Sequence, residues 1–480
     1  MAALAAAACT SPGGPAPKPT AHVVRPLPAV LPTRPPPSTA PTDGSSDPAP
    51  DPVYPDRGSP SIDVRHYDLA LDWSPQTTVL TGAANLRIRA VWQISEIVLD
   101  LGEWYTVDGA TVDGAAVTAS RRRDHLVLIT PRPLAAGAEV LAAVRYHGIP
   151  HQVTFPGHRS DVSNIGARAM SDGSLYAMAE PYGAFTWFPC NDHPSDKALL
   201  DIAITVPSGW SGVASGRFAG TSPAGTGRTS FRWHSGEPIA TYVIALAVDR
   251  YDRVDDVGTR GLPITYWLRA DDKPLMLPLV RRTPSMIAWL ERLLGPYPFA
   301  SAGVVVVQDR SAMETQSMVT LGTITGNRGT TVLLHELSHH WFGDAVTPRT
   351  WRDVWLNEGF ATYVQMLYEV DQMGVAEESV LYGWRVGDAR SRAEAGPAGK
   401  FSSGYFAANN VYFGPALMLH AIRDQLGDPA FFAMMHDWVQ HHRHSNQDRG
   451  SFVAWLNGYT GQDLTALVDR WLDSPTTPTS

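Results

Sequence analysis

His335, Glu336 and His339 form an H-E-x-x-H pattern, and Glu358 follows the second histidine by nineteen positions inside Asn357–Glu358–Gly359–Phe360–Ala361. Residues four apart on an α-helix differ by about 40° around its axis, so His335 and His339 can aim two imidazoles at one ion. Glu336 is turned about 100° from His335 and can stand beside that ion without binding it. This suits a general base acting on water. Two imidazoles and one carboxylate make a catalytic zinc set with a position left open for water, and Glu358 is the best third ligand. The short pattern alone arises by chance often enough. The N-E-G-F-A segment at this distance makes a metal site the reading, with one Zn²⁺ per chain.

Two helices must carry these ligands. The first is led in by Thr330–Leu334, capped at Gly329 or Thr330 and closed by Gly343 and Pro348. The second should run over about 353–370, with Trp351, Trp355 and Phe360 wedging it against the first.

The stretch HELSHHWFGDAVTPRTWRDVWLNEGFATY resembles the zinc aminopeptidases related to aminopeptidase N and leukotriene hydrolase, within the gluzincin metallopeptidases. The resemblance covers about 61–475. It implies an α+β fold: an N-terminal antiparallel β-rich domain, then a thermolysin-like, mostly helical zinc-peptidase domain. It also carries further residues. A segment like W-F-P-C-x-D-x-P is present at 187–194, and Glu180 falls where the family places a glutamate of the first substrate pocket. Met178 stands where glutamine is common. Met313 and Glu314 match the family's G-x-M-E-N strand, whose glutamate grips the substrate's α-amino group, with Ala312 at its open position. Ser311 replaces the glycine there and Thr315 the asparagine. Tyr412 matches the tyrosine that donates to the oxyanion, with Tyr405 as the runner-up. Longer members continue into a β-sandwich and a helical domain that caps the cleft, and this chain stops before both.

The remaining composition bounds the problem. The 480 residues suffice for two or three domains with full cores. A net charge of −9 argues against a nucleic-acid partner. Cys9 and Cys190 are the only cysteines, so no disulfide framework is indicated. Cys190 reads as a packed thiol and His193 as structural.

Residues 1–9, MAALAAAAC, resemble the end of a bacterial lipoprotein signal, and 10–60 are rich in Pro, Ser, Thr and Ala. Together 1–60 read as a truncated signal and a disordered tether, with a membrane tether through a lipidated Cys9. The expected location is extracytoplasmic, as a surface lipoprotein or secreted protein, with the cytoplasm as the alternative. Period-two alternation from Val64 onward puts a β-domain at 61–255, including a strand over 241–248. A catalytic domain then spans 256–475, with a tail at 476–480. Residues 388–404 read as a loop or loosely packed helix end. His441, His442 and His444 read as a solvated helix end rather than a second metal site.

The function expected from these residues is zinc-dependent removal of N-terminal residues from peptides that carry a free N-terminus. Glu336 and Tyr412 are the catalytic pair, and Glu180, Ala312, Met313 and Glu314 the substrate contacts. Two other readings use the same residues: a zinc endopeptidase with an open cleft, or a non-catalytic, surface-tethered peptide-binding relative.

Overall fold

The computed structural model describes residues 42–159 and 161–479. Cys9 and the signal-like start lie outside them. The fold is α+β, a β-rich N-terminal domain followed by a largely helical one. The first domain is built on an eight-stranded sheet. Its central strand Ile62–Ser74 pairs antiparallel with Val79–Ala90 on one side and parallel with Lys197–Pro207 on the other. Alternation explains the layering: Tyr67, Leu69, Leu71 and Trp73 are buried, and the residues between them face outward or are half-buried. A five-stranded sheet contains Leu175–Met178, which leads directly to Glu180.

In the second domain's sheet, Tyr251–Val257 pairs with Pro263–Arg269, which runs parallel to Ala302–Val307. That sheet ends in the short strand Ala312–Met313, paired antiparallel with Val319–Gly322. The expected strand over 241–248 is a 3₁₀ turn, Thr241–Val243, followed by a strand at Leu246–Asp249.

Three helices frame the site. Gly326–His339 carries the histidines and begins three residues before the expected cap. Trp355–Met373 carries Glu358, and Asn410–Leu426 carries Tyr412. Phe360 packs on Phe342 with ring centroids 4.7 Å apart, so it ties the second helix to the turn just past the first. Trp351 and Trp355 pack elsewhere, on Tyr242 and Phe452. At Gly359 a Cβ would lie 2.4 Å from the Pro415 Cβ, so only glycine lets the Tyr412 helix close against the Glu358 helix. Pro415 is inside that helix and removes one backbone bond, and its ring fills the space Gly359 leaves.

Two sequence expectations are corrected and a third is narrowed. Residues 42–60, assigned to the tether, pack onto both domains in their described part. Asp51 is buried, and its carboxylate accepts from the backbone N–H groups of Val53, Tyr54 and Trp351 at 2.7, 2.9 and 2.7 Å. Composition hid this because one buried acid and two apolar side chains, Val53 and Tyr54, anchor an otherwise Pro-rich arm. Residues 388–395 are the end of a helix, Glu377–Ala395, held by a buried Asp388–Arg392 pair at 2.6 Å. His441 and His442 are half-buried against Trp455 and Trp438, not solvated.

Candidate active site

His335 and His339 project from one face of their helix, with their Nε2 atoms 3.0 Å apart. Glu358 Oε2 lies 3.3 Å from the first and 3.4 Å from the second. All three residues are fully buried, and their ligand atoms lie within 4.8 Å of one another. A tetrahedral ion with arms of about 2.0–2.1 Å has ligand–ligand edges of about 3.3–3.4 Å, so the triangle is the size that zinc requires. His339 Nδ1 lies 3.0 Å from the carbonyl oxygen of Phe342. Donation there leaves Nε2 as the lone-pair nitrogen facing the ion. Among the described residues this is the one His/Cys/Asp/Glu group with metal-site geometry.

The electrostatics favour a cation in the same place. Burial pushes the His335 imidazole down to about 4. Burial acts the same way on His339, but the carboxylates of Glu314 and Glu358 outweigh it and hold that imidazole up at about 10. Burial would raise Glu358, yet the two facing histidines hold it well below the usual carboxylate range. Glu336 is buried beside the ligands, one residue along the helix from His335.

The carboxylates of Glu180 and Glu314 come from different domains. Both are fully buried, and none of their four oxygens has a hydrogen-bond partner among the described residues. Burial, then Glu314 and Glu358, drive the Glu180 carboxyl well above its ordinary value. The segments beside them are tied to the opposite domain: Ala179 N donates to Met313 Sδ at 3.2 Å, and Gln316 N donates to Val243 O, in the 3₁₀ turn of the first domain, at 2.8 Å. Ala312 and Met313 are buried in their short strand. Met178 and Ser311, two residues that depart from the resembled pattern, touch each other, with Ser311 Oγ 3.4 Å from Met178 Sδ. Thr315 hydrogen-bonds to Thr320 Oγ1 at 2.8 Å and to the Met318 carbonyl, closing the turn below Glu314.

The loop at 187–197 works as a brace. Lys197 Nζ donates across the domain boundary to Asp344 O, Ala345 O and Thr347 Oγ1 at 2.7, 3.3 and 2.9 Å, just beyond the metal helix. Burial brings that amine down to about 7. Cys190 is a buried free thiol, and His193 bonds to Ser195 and pairs with Asp51. Asn357, beside Glu358, donates to Tyr242 Oη at 3.1 Å.

Tyr412 lies nearly parallel to the His335 ring, with centroids 6.3 Å apart and planes at 21°. Tyr405 instead packs on His158, so the geometry selects Tyr412 of the two tyrosines. No motif or spacing in the chain pointed to Arg159. It lies in an irregular loop more than 250 residues before Tyr412, yet its Nη1 is 2.7 Å from Tyr412 Oη. Beside this loop a cleft of about 700 Å³ is lined by Tyr54, Arg57, Phe155, His158, Tyr182 and Ser403, among others.

The chain is similar to known proteins in both halves. The family model for the peptidase M1 N-terminal domain matches residues 64–243, and that for the peptidase family M1 domain matches 281–390. Aminopeptidase M1 of Arabidopsis thaliana is 24% identical over 454 residues, covering 85% of this chain and 50% of the relative. Human glutamyl aminopeptidase is 29% identical over 203 residues, 39% of this chain and 21% of its own. The chain thus spans half or less of the length of these relatives. A crystal structure of the M1 zinc metallopeptidase from Deinococcus radiodurans superposes with a TM-score of 0.79 at 29% identity, over 89% of this chain and 97% of that one. A mutant of the Deinococcus enzyme bound to a Tyr-Ser-Ala substrate gives 0.80 at 29% identity, with 89% and 98% covered. Models of one family match both halves in order, across more than half of the residues and around the His335–His339–Glu358 triangle, and the chain belongs to peptidase family M1.

Proposed function

We propose that the protein is a zinc aminopeptidase that hydrolyses the first peptide bond of substrates with a free N-terminus. The observation that carries this reading is the pair of buried carboxylates, Glu180 and Glu314, without hydrogen-bond partners among the described residues, beside the ligand triangle. Buried carboxylates without a cation are costly, and a substrate ammonium supplies the missing charge. Zn²⁺ held by His335, His339 and Glu358 would lower the pKa of a water and polarise the scissile carbonyl.

The chain's own groups then act around that centre. Glu180 and Glu314 bind the ammonium and set the register, so that the first peptide bond lies at the metal. Glu336 takes a proton from the attacking water as the carbon–oxygen bond forms. It returns that proton to the leaving nitrogen as the carbon–nitrogen bond breaks. Tyr412 Oη donates a hydrogen bond to the carbonyl oxygen as negative charge develops there.

The test is a pair of substrates that differ only at the amine. Aminoacyl-arylamides should be cleaved by the zinc-loaded protein, and their N-acetyl counterparts should not. Equal cleavage of blocked peptides would make the protein an endopeptidase and overturn the reading.

We also propose that the protein is anchored outside the cytoplasm through Cys9. This rests on MAALAAAAC and the Pro-rich segment after it. No described helix is long and apolar enough to cross a membrane. A Cys9→Ala variant that still sediments with membranes would overturn it.

A further inference from the structure

The loop after the strand Val153–Thr154 leaves the N-terminal domain and lies on the turn before the Tyr412 helix. Phe155 packs on Phe406 with centroids 6.2 Å apart, and His158 on Tyr405 at 4.9 Å. At Gly157 a Cβ would come within 2.4 Å of the Phe406 carbonyl oxygen, so the two backbones touch where no other residue fits. This docking delivers Arg159 to the active site. Asp161 grips its Nε and Nη2 at 3.1 and 2.7 Å, which fixes the plane of the guanidinium. Nη1 then donates to Tyr412 Oη at 2.7 Å, and the Arg159 side chain is only 9% exposed.

A guanidinium has donors only, so the Tyr412 oxygen must accept at this contact. Its single hydrogen has to point elsewhere. Glu358 is a further hydrogen-bond partner of the hydroxyl, and a hydrogen directed there is turned toward the metal ligands. A cation on the phenolic oxygen also polarises its O–H bond and strengthens it as a donor. We propose that Arg159 is a positioning residue: contributed by the N-terminal domain and steadied by Asp161, it orients and polarises Tyr412 as the oxyanion donor. The inference rests on the reading above, in which Tyr412 serves that role.

The test is a double-mutant cycle on aminoacyl-arylamides, with metal content and Tm measured for every variant. Tyr412→Phe should lower kcat by about 10²–10³-fold. Arg159→Ala should lower kcat by about tenfold, with KM within about twofold. The double variant should be no slower than Tyr412→Phe alone, and Arg159→Lys should recover part of the loss. If the two losses multiply, Arg159 acts on something else and the inference falls. An unchanged kcat in Arg159→Ala overturns it too, as does a raised KM with kcat retained, which would make Arg159 a substrate contact. Should Arg159→Ala lose metal or fold poorly, Asp161→Asn in the wild-type and Tyr412→Phe backgrounds gives the same cycle through the residue that holds the guanidinium. A fully active Tyr412→Phe would instead remove the reading of Tyr412 itself, an outcome distinct from failure of Arg159 alone.

Discussion

Glu358 and Glu180 sit at opposite ends of one site. Both are fully buried, and burial pushes both carboxyls upward. They end far apart. Glu358 faces two imidazoles and is held well below the ordinary range, whereas the largest effects on Glu180 after burial come from Glu314 and Glu358, which raise it further and outweigh the lowering by His339. One end of the site carries cationic partners in its own chain. The other concentrates negative charge and leaves the cation to a ligand. The contrast gives the site its direction, a metal end and an amine end, and the substitutions at Glu358, Glu336 and Glu314 test one end against the other.

The largest effect belongs to the metal end. Glu358→Gln should cut the bound metal from one per chain to near none and take turnover with it, as read by elemental analysis beside an activity assay. Full metal occupancy in that variant would break the ligand assignment. Glu336→Gln should keep the metal and still lose about 10³-fold in kcat, because only the proton carrier is gone. A fully active variant would remove Glu336 from the mechanism.

At the amine end, Glu314→Gln should leave metal content unchanged. It should raise KM for free-amine substrates by about tenfold to a hundredfold, the equivalent of one charge-assisted bond of about 1.5–3 kcal/mol. It should also narrow the preference over N-acetyl substrates. Unchanged KM and kcat would mean that the unpartnered carboxylate does not meet the ammonium.

The last effect is on stability and leaves turnover untouched, and it uses another buried carboxylate, away from the metal ligands. Burial, with Asp100 nearby, raises Asp192 from 3.8 to about 7, against bonds from Phe185 N and Thr241 Oγ1. The folded state therefore holds a proton that the unfolded chain has already lost. Stability from this group is present in full below pH 3.8 and is lost as pH rises toward 7. Relative to Asp192→Asn, the wild type should lose up to about 1.4 kcal/mol per pH unit across that window. Urea unfolding at pH 4 to 7 reads it, and a flat difference between the two proteins would show that burial does not govern this carboxyl.

The metal ligands were legible in the chain because helix geometry is local. A spacing of four residues places His335 and His339 on one face wherever the helix lies. Glu358 was legible because its helix follows directly and packs on the first. The β-strands of the first domain were readable where one face is buried and the other wet, as at Leu69 and Leu71. The arm at Asp51 was misread because Pro-rich composition says nothing about one acid buried against a distant backbone. At 388–395 the sequence leaves a loop and a helix end both open, because the buried residues there include a charged pair, Asp388 and Arg392, which breaks the apolar period.

The amine end and Arg159 belong to tertiary structure. Glu180 and Glu314 lie 134 positions apart in the sequence, and Arg159 and Tyr412 253. No local period links such pairs. Family resemblance pointed to Glu180, Glu314 and Tyr412, yet only the packing of the two domains places the two carboxylates without partners and sets a guanidinium on the tyrosine. Spacing along the chain determined which residues could bind a metal, because a helix fixes angles over four residues. The fold decided which charges surround that metal, because burial and distance between remote segments exist only once the chain is packed.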